Sequence, residues 1–534
     1  MIRFDGRPVA SQPGQTVAAA LTAAGIRAWR TTRHGAPRGL FCGMGACQDC
    51  LVTIDGRPNQ RACMAKISGP HEVRSQVPLP SLVADGNGAA GAREPERVEI
   101  LVLGAGAGGL TAAAAAAEAG VEVVLVDERP NPGGQFYKQP AGDPPWDDAQ
   151  FAGGRRLIAR ARAAGVRFVA GTAWSASLPL QVEVFGEQGV RSFRPRRLVV
   201  ATGAFERPLP VPGWTLPGVI TVGAAQTLLR SYGVVAGRRV LVAGNGPLNL
   251  QVAGELRRAG AEVVAVAEAA PRPRIGSLGQ LAAMAAASPG LTAKGVGYLA
   301  RNRTAMRWGT CLAEVAAAGD GLSARLDDGS VWQVDTVAMG YGFLPANELL
   351  RLLGCRHRYD PARGHLVTER DGLCRTTVPE VLAVGDCCGL GGAHAAEVEG
   401  AIAGAAAVGR PPDPHLNRAL ARQRRFQVAL WAMFAAPRAR LALAGAGTTV
   451  CRCEEVELAA IEAALSAGAG SLAAVKRATR AGMGRCQGRY CGPLLAELLH
   501  ERIGRGLDEF AFLAPRPPVR PVPLGAIATA EERI

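Results

Sequence analysis

The chain has 534 residues, several times the length of a typical domain of ~100–200 residues, so three or four structural units are expected. Its composition is 48% hydrophobic and 20% charged, with 68 glycines and 36 prolines, which fits a globular α/β protein and excludes general disorder. The formal charge of +15 comes mainly from arginines spread along the chain, without basic runs interleaved with aromatic residues, so nucleic-acid binding is not expected.

The N-terminal sequence MIRFDGRPVA has no apolar segment of signal-peptide length, and the apolar stretch from Phe426 to Ala436 is cut short by Pro437 and Arg438. We therefore expect no transmembrane segment and a cytoplasmic location, with membrane association through an electron acceptor as the alternative. The 13 cysteines, in a chain without an export signal, indicate metal or redox use rather than disulfides.

Residues 1–82 are predicted to form a small β-grasp ferredoxin domain. Its C-x4-C-x2-C spacing with a distant fourth cysteine is typical of plant-type 2Fe-2S ferredoxins, and the four predicted ligands are Cys42, Cys47, Cys50 and Cys63. Gly43 and Gly45 would let the backbone wrap tightly around such a cluster. A structural zinc site is the alternative.

Residues 83–96 lack apolar periodicity and predict a linker. Residues 97–235 follow as the first part of an FAD-binding domain, in which β-rich runs alternate with helical segments, a pattern typical of parallel βαβ units. The run RVEILVLGAGAGGLTAAAAAAEAGVEVVLVDE supplies a glycine-rich turn between strand and helix and an acidic residue after the next strand. The predicted dinucleotide contacts of this run are Gly104, Gly106, Gly109 and Asp127.

Three later motifs, NPGGQF, LVVATG and TTVPEVLAVGD, resemble those of the two-dinucleotide-binding flavoproteins. The resemblance implies FAD in the first fold, with Asp386 holding the ribityl chain and residues 346–410 forming the second part of the domain. The further FAD-site residues implied are Gly134, Gln135, Ala201, Thr202, Gly203 and Gly385. His394 lies in the next predicted helix, either near the flavin ring or simply on the helix surface.

A second nucleotide-binding domain is predicted over residues 236–345. It keeps Gly244 and Gly246 but has Asn249 where a third glycine would help helix and strand to pack. Glu268 stands where it would bind a ribose hydroxyl, which favours NAD or another adenine nucleotide such as ATP over NADP. A fold retained for structure alone is the alternative.

Residues 411–446 predict a helical linker and residues 447–504 a second cluster domain, followed by a proline-rich tail over 505–534. The C-x-C and C-x4-C pairs resemble the bacterioferritin-associated ferredoxin (BFD) type of 2Fe-2S domain, and the ligands implied are Cys451, Cys453, Cys486 and Cys491. Three adjoining arginines should offset the cluster's negative charge, and they are Arg452, Arg485 and Arg489. Zinc is again the alternative.

The order of these parts resembles the large subunit of the bacterial heteromeric dye-linked amino-acid dehydrogenases, the family of D-hydroxyproline and proline dehydrogenases, opine oxidases and hydrogen cyanide synthase. In this chain a ferredoxin domain is fused ahead of that subunit. The resemblance implies a hetero-oligomer with an FAD-containing, D-amino-acid-oxidase-like β subunit that oxidises the amine. It also implies an external electron acceptor and an FMN at a subunit interface.

A flavin takes up two electrons and each 2Fe-2S cluster passes one, so a flavin between two clusters converts two-electron chemistry into one-electron transport. The predicted function is therefore an electron-transfer subunit of an oxidoreductase acting on the CH-NH group of an amino acid, imino acid or opine. A self-sufficient NADH-dependent reductase is the alternative, and a regulatory protein without turnover is the third. The sequence identifies no general acid or base.

Overall fold

The computed structural model describes residues 1–80, 94–129, 131–437 and 441–531. The predicted linker over residues 83–96 lies outside the described residues except for its last three, and its final residue, Glu96, already begins a strand. Across the described ranges, no helix combines the length and the apolar character that crossing a lipid bilayer requires.

The first domain is a mixed five-stranded sheet that packs against one helix. Its elements are β1 (Ile2–Phe4), β2 (Arg7–Val9), α1 (Val17–Ala23), β3 (Arg30–Thr31), β4 (Pro37–Arg38), β5 (Leu51–Ile54), β6 (Arg57–Arg61) and β7 (Glu72–Ser75). The sheet order is β2-β1-β7-β5-β6, in which only β1 and β7 are parallel. The Thr16 hydroxyl caps α1 by accepting from the Ala19 N–H at 3.3 Å.

A seven-stranded sheet forms the core of the next domain. The elements in chain order are β8 (Glu96–Leu103), α2 (Ala107–Ala117), β9 (Val123–Asp127), α3 (Ala149–Ala163), β10 (Arg167–Ala170), β11 (Thr172–Ser177), β12 (Gln181–Gly186), β13 (Gly189–Val200) and β14 (Ala204–Glu206). The order β10-β9-β8-β13-β12-β11 is extended by the much later strand Val381–Ala383, which pairs with β13. Strands β8, β9, β10 and β13 are parallel neighbours, as expected of βαβ units.

A second parallel sheet follows, in the order β15-β22-β16-β17-β18, beside an antiparallel sheet of β19, β20 and β21. The elements are β15 (Val219–Thr221), α4 (Val222–Tyr232), β16 (Arg239–Gly244), α5 (Pro247–Arg258), β17 (Glu262–Glu268), α6 (Leu278–Ala287), α7 (Pro289–Asn302), β18 (Met306–Trp308), β19 (Leu312–Ala318), β20 (Gly321–Leu326), β21 (Val331–Val334) and β22 (Thr336–Gly340).

The chain then returns to the first sheet before it forms a small helical domain. The elements are β23 (Phe343–Pro345), α8 (Glu348–Leu352), β24 (His357–Asp360), β25 (His365–Thr368), β26 (Val381–Ala383), α9 (Ala393–Ala407), α10 (Pro414–Met433), β27 (Thr449–Cys451), β28 (Val456–Glu457), α11 (Leu458–Ser466), α12 (Leu472–Thr479), α13 (Cys491–Ile503) and α14 (Leu524–Glu531). Helix α9 lies close against α2, because a Cβ at Gly400 would come within 2.3 Å of the Gly108 carbonyl oxygen.

The domains share their apolar cores. One cluster joins α1 of the first domain to α4 and α5 of the second parallel sheet, through side chains such as Leu21, Leu228 and Val252. Another cluster joins Phe41 of the first domain to Tyr490 of the helical domain. The N-terminal and C-terminal domains are therefore packed against the central sheets and against each other.

Candidate redox centres

The glycine-rich turn between β8 and α2 leaves no room for side chains. A Cβ at Gly104 (φ +104°) would lie 2.4 Å from the Ala201 carbonyl oxygen, and one at Gly109 would lie 1.8 Å from the carbonyl oxygen of Gly104. The N-cap of α2 is Gly106, which offers no side-chain cap. Its first N–H groups thus remain available to a pyrophosphate, as the dinucleotide prediction requires.

Asp127, at the end of β9, holds this turn in shape. One of its carboxylate oxygens accepts from the Ala105 N–H at 2.5 Å and the other accepts from the Arg129 N–H at 2.7 Å. Burial raises its pKa. In the structure the carboxylate is thus already bonded to backbone, and the residue as a whole is partly exposed.

One further predicted flavin residue packs directly against this turn, and two others are held by hydrogen bonds in later segments. Gly134 lies so close to Gly106 that a Cβ there would be 2.7 Å from the Gly106 Cα atom, and Thr202 donates to the Ala346 carbonyl oxygen at 2.6 Å. Asp386, in a short 3₁₀ helix with Gly385, accepts from the N–H groups of residues 391 and 392 at 2.9 and 2.8 Å, just before α9.

His394 lies in the first turn of α9 with its side chain 38% exposed. Its ring packs edge-on against Phe136 of the NPGGQF segment, with ring centroids 5.5 Å apart. The structure therefore brings this histidine to the segment that was predicted to line the flavin, while leaving its ring in contact with solvent.

In the second nucleotide fold, buried acidic and amide side chains are hydrogen-bonded to groups of the fold itself. Glu268 is fully buried, and its carboxylate accepts from the Gly246 N–H at 2.9 Å and from the Asn245 amide at 2.7 Å. Asn249 is also buried and donates to the Gly340 carbonyl oxygen at 3.1 Å, next to Gly244. Glu268 therefore supports the glycine turn of this fold through buried hydrogen bonds, and its contact with a nucleotide ribose stays a prediction.

The first cysteine set converges in the loop between β4 and β5 and just after β6. The backbone N–H of Cys47 donates to the sulfur of Cys42 at 3.4 Å, and that of Cys63 donates to the sulfur of Cys50 at 3.5 Å, so the side chains of each pair lie side by side. Although burial acts to raise it, the contact with Cys47 and nearby backbone N–H groups lower the pKa of Cys42 to about 6. Gly45 (φ +76°) provides the tight turn in this loop.

The second cysteine set also converges. The sulfur of Cys453 lies 3.9 Å from that of Cys451 and 3.6 Å from that of Cys486, and Cys491 is hydrogen-bonded to Cys451. Hydrogen bonds with Cys453 and Cys491 lower the pKa of Cys451 to about 3 despite its burial. Cys491 is the first residue of α13, where the helix N-terminus favours a thiolate.

Within the part of the chain that the structure describes, no group of three or more His, Cys, Asp or Glu side chains is placed so that it could hold one metal ion. A 2Fe-2S cluster instead takes its four thiolates as two pairs, one pair on each iron. Each cysteine set divides in this way, into Cys42 with Cys47 and Cys50 with Cys63 in the first set, and into contacting pairs in the second. The donor sets fit the predicted clusters.

Two of the three arginines beside the second set are engaged by carboxylates. Arg452 donates through Nε to Asp49 of the first domain, and Arg489 lies 2.6 Å from Glu348. Arg485 has a buried Nη1 without a hydrogen-bond partner among the described residues and lies within electrostatic range of Cys453. Arg485 and Arg489 therefore both lie within electrostatic range of a cluster ligand, Arg485 of Cys453 and Arg489 of Cys486.

A buried polar group beside the first cysteine set was not predicted from the sequence. Lys138 is 4% exposed and donates to the Gln226 side-chain oxygen at 2.9 Å and to the Gln135 carbonyl oxygen. Burial lowers the pKa of Lys138 to about 7, whereas it raises that of Glu206, which lies within electrostatic range of both Lys138 and Cys42, to about 7. The position of Lys138 two residues after the NPGGQF motif was the available signal.

Family models match three parts of the chain. Residues 98–400 match the pyridine nucleotide-disulphide oxidoreductase model, residues 1–78 match a 2Fe-2S iron-sulfur cluster binding domain, and residues 449–501 match the BFD-like [2Fe-2S] binding domain. An FAD-binding oxidoreductase domain between two 2Fe-2S domains was predicted from the motifs, and these matches confirm it.

Curated relatives cover most of the chain. An opine oxidase subunit of Rhizobium meliloti (strain 1021) is 34% identical over 440 residues, which are 77% of this chain and 94% of that protein. Subunit HcnB of hydrogen cyanide synthase from Pseudomonas aeruginosa is 33% identical over 448 residues, 76% of this chain and 93% of that subunit. Subunit HcnA of the same enzyme is 48% identical over 66 residues, 12% of this chain and 64% of that subunit.

Among solved structures, L-proline dehydrogenase from P. horikoshii has a TM-score of 0.75 to this chain at 20% sequence identity, covering 98% of this chain and 96% of that one. At this identity the likeness concerns the fold. It confirms the predicted α/β architecture, in which a two-nucleotide-fold core carries a ferredoxin-like domain and a helical cluster domain.

Proposed function

Because the chain belongs to the pyridine nucleotide-disulphide oxidoreductase family, in the group that includes HcnB of hydrogen cyanide synthase and its counterpart in opine oxidase, we propose that it is the electron-transfer subunit of a heteromeric dehydrogenase. The enzyme would oxidise the CH-NH group of an amino acid, imino acid or opine. A partner flavoprotein subunit, of the D-amino-acid-oxidase-like type, would oxidise the substrate, and this chain would pass the electrons to an external acceptor.

The observation that carries the proposal is that ligands from both cysteine sets lie in one apolar cluster together with side chains of the second nucleotide fold. Cys42 and Cys47 of the first set and Cys486 of the second set belong to it, and Cys453 packs against it. Two clusters whose ligands share one apolar core can exchange electrons over a short distance without domain motion. Such an arrangement suits a relay better than a regulatory protein that only holds its cofactors.

FAD bound in the first fold would supply the exchange between two-electron and one-electron transfer. The glycines of the β8–α2 turn would accept the pyrophosphate at the N-terminus of α2, and Asp386 would bind the ribityl chain. Lys138, buried beside Gln135, would act near the site as a hydrogen-bond donor, and because burial lowers its pKa to about 7 it would be only partly charged at neutral pH. An FMN at the subunit interface and an adenine nucleotide in the second fold remain predictions.

The N-terminal domain supports the heteromeric nature of the enzyme in another way. It is similar to HcnA, whereas the rest of the chain is similar to HcnB, and these two are separate subunits of hydrogen cyanide synthase. We infer that two subunits of such an enzyme are fused in this chain, and that the amine-oxidising subunit is a separate polypeptide.

The test is anaerobic co-purification of the full chain with the product of an adjacent oxidase-like gene, followed by addition of proline, hydroxyproline, glycine or an opine. We expect one of these compounds to bleach the flavin and cluster absorbance only when the partner is present. Cys453→Ser should remove the part of the bleaching due to the second cluster, whereas Cys311→Ser, outside both sets, should leave it unchanged. Bleaching of the isolated chain by NADH would instead identify a self-sufficient reductase.

A further inference from the structure

Two aromatic rings connect the cysteine sets. Phe41 immediately precedes Cys42, and Tyr490 stands between Cys486 and Cys491. Their ring centroids are 5.7 Å apart with an interplanar angle of 67°, and both side chains are buried, at 0% and 3% exposure. Edge-to-face packing of this kind is the preferred geometry of an aromatic pair.

Tyr490 lies within electrostatic range of ligands from both sets. Burial raises its pKa well above the usual value, and the charges of Cys42, Cys47 and Cys486 raise it further. Its hydroxyl is buried and finds no hydrogen-bond partner among the described residues. A buried tyrosine normally bonds its hydroxyl, so this residue is held here for the position of its ring.

Charged side chains fix the contact between the two rings. The guanidinium of Arg452, which stands between Cys451 and Cys453, lies 4.1 Å from the centre of the Phe41 ring. The same group bonds to Asp49, the residue before Cys50, and to the Trp214 carbonyl oxygen at 2.8 Å. Arg452 therefore connects the loop that carries the second cysteine set to the loop that carries the first.

The first cysteine set is packed against elements that lead to the predicted flavin site. A Cβ at Gly43 would lie 2.9 Å from the Ala224 Cα atom in the first turn of α4, so the loop is in close contact with this helix. The same helix carries Gln226, which accepts from Lys138, and Lys138 in turn donates to the carbonyl oxygen of Gln135. A short path of packed groups therefore joins the first set to the NPGGQF segment.

Resting on the proposed function, we propose that the two clusters are consecutive members of one chain of carriers, and that electrons cross between them through the rings of Phe41 and Tyr490. In each step one ferrous ion of the reduced first cluster becomes ferric, and one ferric ion of the second cluster becomes ferrous. No covalent bond forms or breaks and no proton is transferred. The flavin thus delivers electrons at one end of a line instead of standing between the clusters.

Electron paramagnetic resonance of the full chain reduced with dithionite tests the adjacency. Two reduced 2Fe-2S clusters in loops that contact each other should interact magnetically. The interaction is seen as splitting or broadening of the signals when both clusters are reduced. Cys453→Ser, which removes a ligand of the second cluster, should leave the unbroadened signal of the first. A doubly reduced spectrum equal to the sum of two independent signals would overturn the proposal.

The path itself is tested by the rate at which electrons redistribute between the clusters after pulsed reduction. Phe41→Leu and Tyr490→Leu should slow this step by an order of magnitude with iron content and potentials unchanged, while Tyr490→Phe should keep the rate, because the ring and not the hydroxyl is required. Phe193→Leu, equally buried in another core cluster, is the control. Unchanged rates in both leucine variants would overturn the path.

If a leucine variant loses a cluster, the magnetic interaction in the unaltered chain still tests the adjacency of the clusters. A slower electron transfer in Tyr490→Phe would still overturn the path through the rings. Both experiments use a chemical reductant and need neither a substrate nor a partner subunit. Failure of the proposed function would appear as a lack of bleaching by any amine with the partner present, whereas failure of this inference would appear as magnetically independent clusters.

Discussion

At the scale of single residues, the first nucleotide fold depends on positions where a β-carbon cannot be accommodated. Gly109 lies in the first turn of α2 and faces the carbonyl oxygen of Gly104, while the Ala201 side chain is 3.2 Å from its missing Cβ. This contact lets α2 pack closely on β8 and β13 and brings its N-terminus over the predicted pyrophosphate site.

Gly109→Ala should therefore abolish FAD binding and destabilise the domain by about 1–3 kcal/mol or more, because the helix must move away from the sheet. Flavin content after purification and the thermal unfolding midpoint measure the effect. Gly254→Ala in α5 is the matched control, since nothing lies within 4 Å of its Cβ position. It should gain roughly 0.5–1 kcal/mol. Full flavin content in Gly109→Ala would contradict the account.

The motif glycines and the cysteine ligands could be predicted from sequence because their chemistry is local. A tight turn or a four-thiolate loop needs particular residues at fixed spacings, which a single sequence displays. What the side chain of Glu268 does could not be predicted in this way. Its acidic character suggests a ribose contact, but the buried hydrogen bonds to Gly246 and Asn245 depend on how the strand ends pack.

At the scale of elements, one buried arginine joins three helices. Arg230 of α4 is 1% exposed and lies 2.9 Å from both Asp148, the N-cap of α3, and Glu255 of α5. Its guanidinium also lies 4.0 Å from the centre of the Phe151 ring. These contacts hold the first nucleotide fold against the second and support the helix from which Gln226 reaches Lys138.

Arg230→Met should lower the stability of the chain by about 3–5 kcal/mol, because it leaves two carboxylates without their counter-charge. Arg160→Met is the control, since Arg160 forms an equally close pair with Glu118 at 2.7 Å but is 43% exposed. This exposed pair should be worth no more than about 1 kcal/mol. Thermal unfolding midpoints compare the two variants, and equal shifts would show that Arg230 does not join the helices.

The same contacts predict that the stability of the folded chain falls in acid. Although burial acts to raise it, hydrogen bonds from Arg230 and backbone lower the pKa of Asp148 from 3.8 to about 2. A carboxyl whose folded-state pKa is depressed contributes stability that is complete above its unfolded pKa and is lost as the pH falls through the folded value. The contribution should therefore disappear between about pH 4 and about pH 2.

Asp148→Asn should unfold faster than the wild type at neutral pH. As the pH falls through that acid range, its unfolding rate should rise less than the unfolding rate of the wild type. The fluorescence of Trp146, whose indole N–H donates to Asp148 at 3.0 Å, reports local unfolding after a pH jump. Asp147→Asn, at a neighbouring residue with a side chain 75% exposed, should behave as the wild type. Parallel acid profiles for all three proteins would refute the assignment.

At the scale of the whole molecule, the two cysteine sets are remote in sequence and adjacent in space. Their domains are joined by contacts such as that between Arg452 and Asp49, which are 403 positions apart in the sequence. The expectation of a flavin between two clusters followed the order of motifs along the chain. That expectation stays a prediction. The structure adds that the aromatic and ionic contacts of Phe41, Tyr490 and Asp49 bring the two cluster domains together.

Asp49→Asn should weaken this junction. Although burial acts to raise it, Arg452 and Arg30 lower the pKa of Asp49, so the carboxylate is charged in the folded chain. Its loss leaves Arg452 buried without a counter-charge, which should cost about 3–5 kcal/mol. Asp55→Asn, with a side chain 52% exposed in its pair with His71, is the control. Equal thermal midpoints in the two variants would show that the junction does not depend on Asp49.

The relay itself is tested most directly by an anaerobic reductive titration of the purified full chain, with flavin, iron and sulfide quantified in the same sample. The account predicts one FAD and two iron atoms for each of two clusters, hence four iron atoms and four sulfides per chain. It predicts the uptake of about four electrons, two by the flavin and one by each cluster. Two iron atoms or fewer per chain, or uptake that stops at about two electrons, would contradict it.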